Sequence, residues 1–270
     1  MSDTPINQPN EHLARSFFAH SDIFQSLMEF YLPPKTSKLL AFDSFHPIDT
    51  NMKKDYFGKI QDYIGYRGTF TNGISVFMFL EPQSAIDGAL LIRMLHYITI
   101  TSTNYITTVD QSKQSALIPF PIAVTFYYGK APWTGRLKFS EMWDNTSSNI
   151  DPDILKFVHD LIDLNCTSVK IGKGHPFLQS LLIVLKAYSL AKPIDNESLS
   201  QLGKIMASAK TDSRIKNFTA EIGRYILEFV KVAGGPAVLE ELFFIPILGK
   251  AEGKKMLATT IDAIKATSAK

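Results

Sequence analysis

An Asn72-Gly73 dipeptide between two strand-like runs places the strongest constraint on how this chain can fold. Apolar and polar residues alternate over 60–66, and the run 74–80 is almost continuously apolar. Asn-Gly between two such runs is the strongest short-range hairpin signal, because both residues tolerate a positive φ. The sequence therefore predicts a β-hairpin over 60–83.

The hairpin implies a pairing register. With Asn72 and Gly73 as a two-residue turn, Ile64 faces Glu81. Asp62 then faces Gln83, two residues beyond Glu81. Facing residues of an antiparallel pair have their side chains on one side, as do residues two apart. We therefore expect Asp62, Glu81 and Gln83 to emerge together near the open end of the hairpin.

Two carboxylates on rigid strands are suitable ligands for a hard divalent cation. Mg²⁺ binds oxygen ligands and keeps several waters, so that a substrate phosphate can enter its coordination shell. Such a cation polarises a phosphoryl oxygen and activates water, which is hydrolase chemistry. Gln83 would hold that water by hydrogen bonding. The alternative is the solvated rim of a sheet, and Pro82 between Glu81 and Gln83 is typical of a strand end, an edge or a bulge.

The rest of the chain predicts a mixed α/β core followed by helices. Two short helices over 12–32 precede a strand near 37–45, and a helix beginning at Ser84 precedes a buried strand over 117–128. Helical periodicity predicts further helices at about 152–165, 176–191, 196–209, 213–233, 235–246 and 250–268. Residues 1–10 are expected to form a disordered tail.

Charge, cysteine content and apolar runs bear on the possible partners and the cellular location of the chain. A net charge of +2 neither requires nor excludes nucleic acid, although residues 201–270 carry +4. That helical region could approach a phosphate backbone or be a solvated basic face. The single cysteine, Cys166, permits no internal disulfide, and no signal peptide or apolar run of membrane-spanning length is present. We therefore expect a cytoplasmic protein without a membrane partner.

Several motifs occur in the order and spacing of one known family. Asp62 is followed 19 positions later by Glu81-Pro82-Gln83-Ser84. The other matching segments are 12–33, Asp43-Ser44-Phe45, Arg93-Met94-Leu95-His96-Tyr97, Ile118-Pro119 and Tyr127-Tyr128-Gly129-Lys130. Over about residues 12–190 the chain resembles the Rpn-like group of the PD-(D/E)XK nuclease superfamily, which comprises recombination-promoting nucleases and transposase-like proteins.

This resemblance implies a restriction-endonuclease-like core, with a mixed sheet flanked by helices, over 11–192 and an all-helical C-terminal region over 193–270. It also implies a metal-dependent DNA endonuclease linked to recombination or mobile elements. Asp62 and Glu81 would hold Mg²⁺, or another divalent cation such as Mn²⁺ or Ca²⁺, and Gln83 would orient the water. Arg93 and Lys130 match family positions and would contact DNA.

Departures from the family pattern leave other hypotheses open. Pro82 stands where the family usually has histidine. Counting forward from Phe45 without a gap aligns the family's aspartate with Gly58 instead of Asp62, and Asp55 is a further candidate for that aspartate. A catalytically degenerate relative that binds DNA or a protein therefore remains an alternative. A helical interaction module in the C-terminal third is another, and the sequence leaves a homo-oligomer open.

Overall fold

A computed structural model describes residues 9–48, 63–108, 117–142, 157–165 and 171–268. It divides into two compact units. The sheet unit comprises Tyr31–Tyr127 and Trp133–Asp163, and the helical unit comprises Met1–Phe30, Tyr128–Pro132 and Leu164–Lys270. The domain boundary expected after residue 192 stays a prediction.

Along the described chain three helices precede three strands, one long helix and two further strands follow, and the remaining elements are helical. The strands are β1 (Leu40–Pro47), β2 (Ile64–Phe70), β3 (Ser75–Gln83), β4 (Phe120–Tyr127) and β5 (Asp160–Asp163). The helices are α1 (Pro9–Phe18), α2 (Ser21–Tyr31), α3 (Pro34–Ser37), α4 (Leu90–Thr108), α5 (Pro176–Ser189), α6 (Asn196–Ser208), α7 (Ile215–Tyr225), α8 (Pro236–Leu239), α9 (Ile245–Leu248) and α10 (Lys250–Ser268).

The five strands form one mixed sheet in the order β1-β2-β3-β4-β5. The first three strands are antiparallel neighbours, whereas β3, β4 and β5 run parallel. A parallel pair needs a crossover connection, and α4 supplies it between β3 and β4. Tyr97 of α4 packs with Tyr63, Phe77 and Phe79, so α4 covers the face of β3 that carries its odd-numbered side chains.

The turn between β2 and β3 contains three residues, 71–73, and not two. The Phe70 N–H donates to the Ile74 carbonyl at 2.8 Å, and the Gly73 N–H donates back to the Phe70 carbonyl at 2.9 Å. Gly73 has φ +84°, the left-handed conformation that closes a three-residue hairpin loop. The hairpin is therefore confirmed, with a longer loop than the sequence predicted.

This extra loop residue shifts the register by one. Ile64 faces Leu80 and not Glu81, so the predicted register is wrong. A one-residue shift exchanges the two faces of a strand. The expectation that position 62 shares a face with Glu81 therefore loses its basis in the hairpin register. Asp62 itself lies outside the described residues, as do Asp55 and Gly58.

A second correction concerns the helix predicted over 152–165. Within the described part of that range, Asp160–Asp163 form β5, and Leu161 pairs in parallel with Thr125 of β4. A segment of four residues is too short for its periodicity to separate strand from helix. Pairing with the edge of β4 decides the conformation here, and that pairing partner is distant in sequence.

The helical unit agrees more closely with the sequence. The predicted helices at 176–191, 196–209, 213–233, 235–246 and 250–268 are confirmed as α5 to α10, with π-helical turns at Ile226–Val230 and Glu240–Phe244. Asp195 caps α6 by accepting the Ser198 N–H at 2.7 Å. Side-chain caps of this kind satisfy N–H groups that have no partner within the helix.

The fold class predicted from the sequence, a mixed α/β sheet followed by a helical C-terminal region, is confirmed. Within the described residues, no helix combines the length and the apolar character needed to cross a lipid bilayer.

Candidate active site at the end of the central strand

The C-terminal end of β3 buries two polar side chains. Glu81 is 1% exposed and Gln83 is 4% exposed. They lie on one face because they are two residues apart in a strand. Across the parallel pairing, Thr125 and Tyr127 of β4 lie opposite Glu81 and Gln83. Four polar side chains therefore meet where two parallel strands end.

Arg93 is the cationic partner of Glu81. It lies in the first turns of α4, and its Nη2 donates to Glu81 Oε1 at 3.2 Å. Its Nη1 forms an ion pair with Asp87 Oδ2, while Asp87 Oδ1 accepts the Ala89 N–H at 2.7 Å. A buried carboxylate is costly unless it is paired and hydrogen-bonded. Arg93 supplies that compensation and is itself tied to the start of α4 by Asp87.

Gln83 also binds Glu81. Its Nε2 donates to Glu81 Oε1 at 3.1 Å and to the Pro82 carbonyl at 3.0 Å. Glu81 Oε1 thus accepts hydrogen bonds from a guanidinium and an amide. The position of the carboxylate is consequently set by both the strand and the helix.

The structure brings together three of the five residues singled out from the sequence, Glu81, Gln83 and Arg93. Lys130 belongs to the helical unit, where its Nζ lies 5.0 Å from the centroid of the Tyr188 ring. Asp62 is outside the described residues. The expected cluster of Asp62 with Glu81 and Gln83 therefore stays a prediction.

The described donor set does not by itself complete a metal site. Among the described residues, no group of three or more His, Cys, Asp or Glu side chains is placed to hold a metal ion. Glu81 and the Pro82 carbonyl are hard oxygen donors of the type that Mg²⁺ prefers. Glu81 Oε1 and the Pro82 oxygen already accept hydrogen bonds, however. A second carboxylate would have to come from outside the described residues.

A buried polar contact beside Glu81 was not expected from the sequence. Thr125 is fully buried and His159 is 2% exposed, and Thr125 Oγ1 lies 2.7 Å from His159 Nδ1. Burial lowers the pKa of His159 below its ordinary value, so the imidazole is neutral at pH 7. Its Nε2 lies 3.0 Å from the Arg136 carbonyl, which can only accept. Nε2 is therefore the protonated nitrogen, and Nδ1 accepts from the Thr125 hydroxyl.

The sequence over 157–162 contains no signal that identifies this contact. Its order, Phe-Val-His-Asp-Leu-Ile, does not alternate between apolar and polar residues as a half-buried strand does. The helix predicted over 152–165 would separate His159 from Thr125.

Comparison with curated proteins and with solved structures found no match. A family model described as "Putative transposase, YhgA-like" matches residues 8–216, which is most of the chain. That range contains the whole described sheet unit and the cluster of Glu81, Gln83 and Arg93. The resemblance read from the sequence motifs is thereby confirmed: the chain belongs to the YhgA-like family of putative transposases.

Proposed function

We propose that the chain is a divalent-metal-dependent deoxyribonuclease that hydrolyses phosphodiester bonds in DNA. The observation that carries this proposal is the buried pair of Glu81 and Gln83 at the end of β3, bonded to Arg93. Membership in a family of putative transposases supports DNA as the partner. A link to recombination or mobile elements belongs to the same proposal.

In this proposal Asp62 and Glu81 hold Mg²⁺, for which Mn²⁺ or Ca²⁺ can substitute. The cation would polarise the scissile phosphate and lower the pKa of the attacking water. Glu81 contributes a carboxylate that is buried in the protein. Charges interact more strongly in such an environment than in bulk water. Gln83 holds that carboxylate in position through its Nε2 hydrogen bond.

Two cationic side chains are proposed to contact DNA. The Arg93 side chain is 27% exposed while it pairs with Glu81, so it can meet a phosphate from the solvent side. Lys130 is exposed in the helical unit and is the second proposed DNA contact. The Arg93 charge would also stabilise negative charge that develops on the phosphate during hydrolysis.

Cleavage of supercoiled plasmid by the full chain tests the proposal. The assay compares Mg²⁺, Mn²⁺, Ca²⁺ and EDTA for the wild type and for the variants Glu81→Gln and Asp62→Asn. Asp43→Asn is the matched control, because Asp43 is an exposed acid on β1 of the same sheet. We expect metal-dependent nicking that both site variants abolish and the control retains.

Nicking that survives Glu81→Gln would refute this site. Loss of nicking in Glu81→Gln with full activity in Asp62→Asn would place the second acid elsewhere. Circular dichroism of each variant separates loss of chemistry from loss of folding. Folding should be retained, because Gln and Asn preserve the size of the side chains they replace.

Two observations favour a second function, in which the chain binds DNA or a protein without cleaving DNA. The Arg93 guanidinium already pairs with Glu81 Oε1, so the carboxylate is compensated without a metal ion. Pro82 also stands where the family usually has histidine. This alternative predicts salt-dependent DNA binding with no nicking under any of the metals.

A further inference from the structure

A cleft beside the candidate active site presents an arginine that the proposed nuclease mechanism does not use. It has a volume of about 280 Å³ and lies between the start of α4 and the segment 134–136, all within the sheet unit. Asp87 and Arg136 both line it. Because Asp87 pairs with Arg93, which in turn binds Glu81, the cleft is connected directly to the Glu81 cluster.

Arg136 is exposed but held at one end of its guanidinium. Its Nε donates to the Glu141 carbonyl at 2.8 Å. Glu141 Oε2 in turn accepts the N–H groups of Leu137 at 3.0 Å and Lys138 at 3.4 Å. No acceptor among the described residues binds the two Nη groups of Arg136. Hydrogen bonds between the two ends of the segment 136–141 therefore hold the Nε side of the guanidinium in place. The two Nη groups of Arg136 remain available to a ligand.

The main chain of Arg136 is also anchored from inside the protein. The protonated Nε2 of His159 donates to the Arg136 carbonyl, and His159 Nδ1 accepts from Thr125 on β4. Both of these side chains are buried, and a polar group is tolerated there only when it is hydrogen-bonded. Trp133 packs beside this contact, with its ring centroid 6.3 Å from that of His159. Strand β4, which pairs with the strand of Glu81, therefore also helps to fix the main-chain position of Arg136 through Thr125 and His159.

Arg136 is the cation among the described residues that line the cleft. Asp87, the acid among those residues, is ion-paired with Arg93 and accepts the Ala89 N–H. A guanidinium with two parallel N–H donors matches the oxygen geometry of a phosphate better than any other side chain. The cleft is small compared with pockets for drug-sized ligands, which suits one segment of a polymer backbone.

The geometry points to Arg136 as a contact for a DNA backbone phosphate in this cleft, with Thr125 and His159 as the positioning residues that hold its main chain. This inference rests on the proposed function, because it takes DNA as the substrate. It adds a binding residue to the site next to Glu81, and it assigns a role to a buried histidine outside the carboxylate chemistry.

DNA binding measured by fluorescence anisotropy tests the inference. The full chain is titrated into a short labelled duplex in EDTA, so that no cleavage occurs, over a series of salt concentrations. The variant is Arg136→Gln, and the matched control is Arg224→Gln, an exposed arginine of the helical unit paired with Glu228. We expect Arg136→Gln to weaken binding and to reduce the slope of log K against log salt by about 1, with no change for the control.

The positioning role of His159 has its own test. His159→Ala should weaken binding in the wild-type background but add nothing in the Arg136→Gln background, because it acts through Arg136. His159→Gln keeps a side-chain amide able to donate to the Arg136 carbonyl and should restore binding. Urea denaturation of each variant identifies a loss of folding, and a purely structural histidine would weaken binding equally in both backgrounds.

The outcomes separate this inference from the proposed nuclease. If Arg136→Gln binds DNA as the Arg224→Gln control does, the inference is overturned, while Glu81-dependent cleavage still decides the nuclease. If Arg136→Gln weakens binding but no metal yields nicking, the phosphate contact stands and the nuclease fails. A wild type that binds no DNA at any salt concentration overturns the phosphate contact.

Discussion

Removing Arg93 tests whether the Glu81 cluster is energetically coupled as the structure indicates. Glu81 is 1% exposed, and Arg93 Nη2 lies 3.2 Å from its Oε1. Removing one partner of a buried ion pair costs about 3–5 kcal/mol, because the remaining charge is left uncompensated. The Arg93 side chain is 27% exposed, so water can replace part of it. We therefore expect Arg93→Met to lower the free energy of unfolding by about 3 kcal/mol, the low end of that range.

The neutral substitution Glu81→Gln should cost less. It removes charge-assisted hydrogen bonds from Arg93 and Gln83 but keeps an oxygen acceptor, at a cost of about 1–2 kcal/mol. In the double variant the buried charge and its partner are both absent. Its cost should therefore fall short of the sum of the single variants by about 2 kcal/mol, within the range seen for directly contacting residues.

Asp87→Asn is the control for the second ion pair of Arg93. The Asp87 side chain is 34% exposed, and exposed pairs contribute only about 0–1 kcal/mol. If Arg93→Met acted mainly through Asp87, Asp87→Asn would reproduce most of its effect. Asparagine retains an oxygen for the Ala89 N–H, so the start of α4 keeps that hydrogen bond.

Equilibrium urea denaturation is the assay, followed by tryptophan fluorescence and circular dichroism. Trp133 lies in the sheet unit, so its fluorescence reports the unit that contains Glu81. Agreement between the two signals is needed before a single free energy is assigned to a chain with two units. Additivity of Arg93→Met and Glu81→Gln within about 0.5 kcal/mol would refute the coupling.

Three further predictions concern backbone geometry and pH. Gly73→Ala forces a residue with a side chain to adopt φ +84° and should lower the stability measured by thermal denaturation by about 1–2 kcal/mol. This cost is conformational, because no atom lies within 4 Å of the new Cβ, and an unchanged Tm would contradict the three-residue loop. Gly203→Ala places a Cβ against the Leu242 carbonyl oxygen, closer than van der Waals contact, and should lower the free energy of unfolding in urea by about 1–3 kcal/mol. A neutral result would refute this close helix contact. The side-chain hydrogen bond from Arg214 lowers the pKa of Asp212 from 3.8 to about 2, so its stabilisation is present above pH 3.8 and lost as the pH falls through 2. Asp212→Asn should flatten the dependence of unfolding on pH in that window, and an identical acid profile would exclude this carboxylate as a contributor.

Local sequence predicted the elements whose stabilising interactions are local. The Asn72-Gly73 signal identified the hairpin because a positive φ at Gly73 closes the turn. Helices α5 to α10 were predicted well because helical hydrogen bonds connect residues only a few positions apart. Glu81 and Gln83 were expected on one face because they are two residues apart in a strand, whereas Arg93 was expected only as a DNA contact and its pairing with Glu81 was not predicted.

The tertiary structure decided what depends on partners distant in sequence. The Asn-Gly dipeptide alone does not specify the loop length of the hairpin, and the pairing along β2 and β3, as far as Ile64 with Leu80, sets its register. Strand β5 exists because it pairs with β4, and the contact between Thr125 and His159 joins residues 34 positions apart. No periodicity within a short segment specifies its neighbour in a sheet. The sequence by itself therefore determined the α/β class and the acidic end of β3, whereas sheet pairing determined which buried groups surround it and how Arg136 is held.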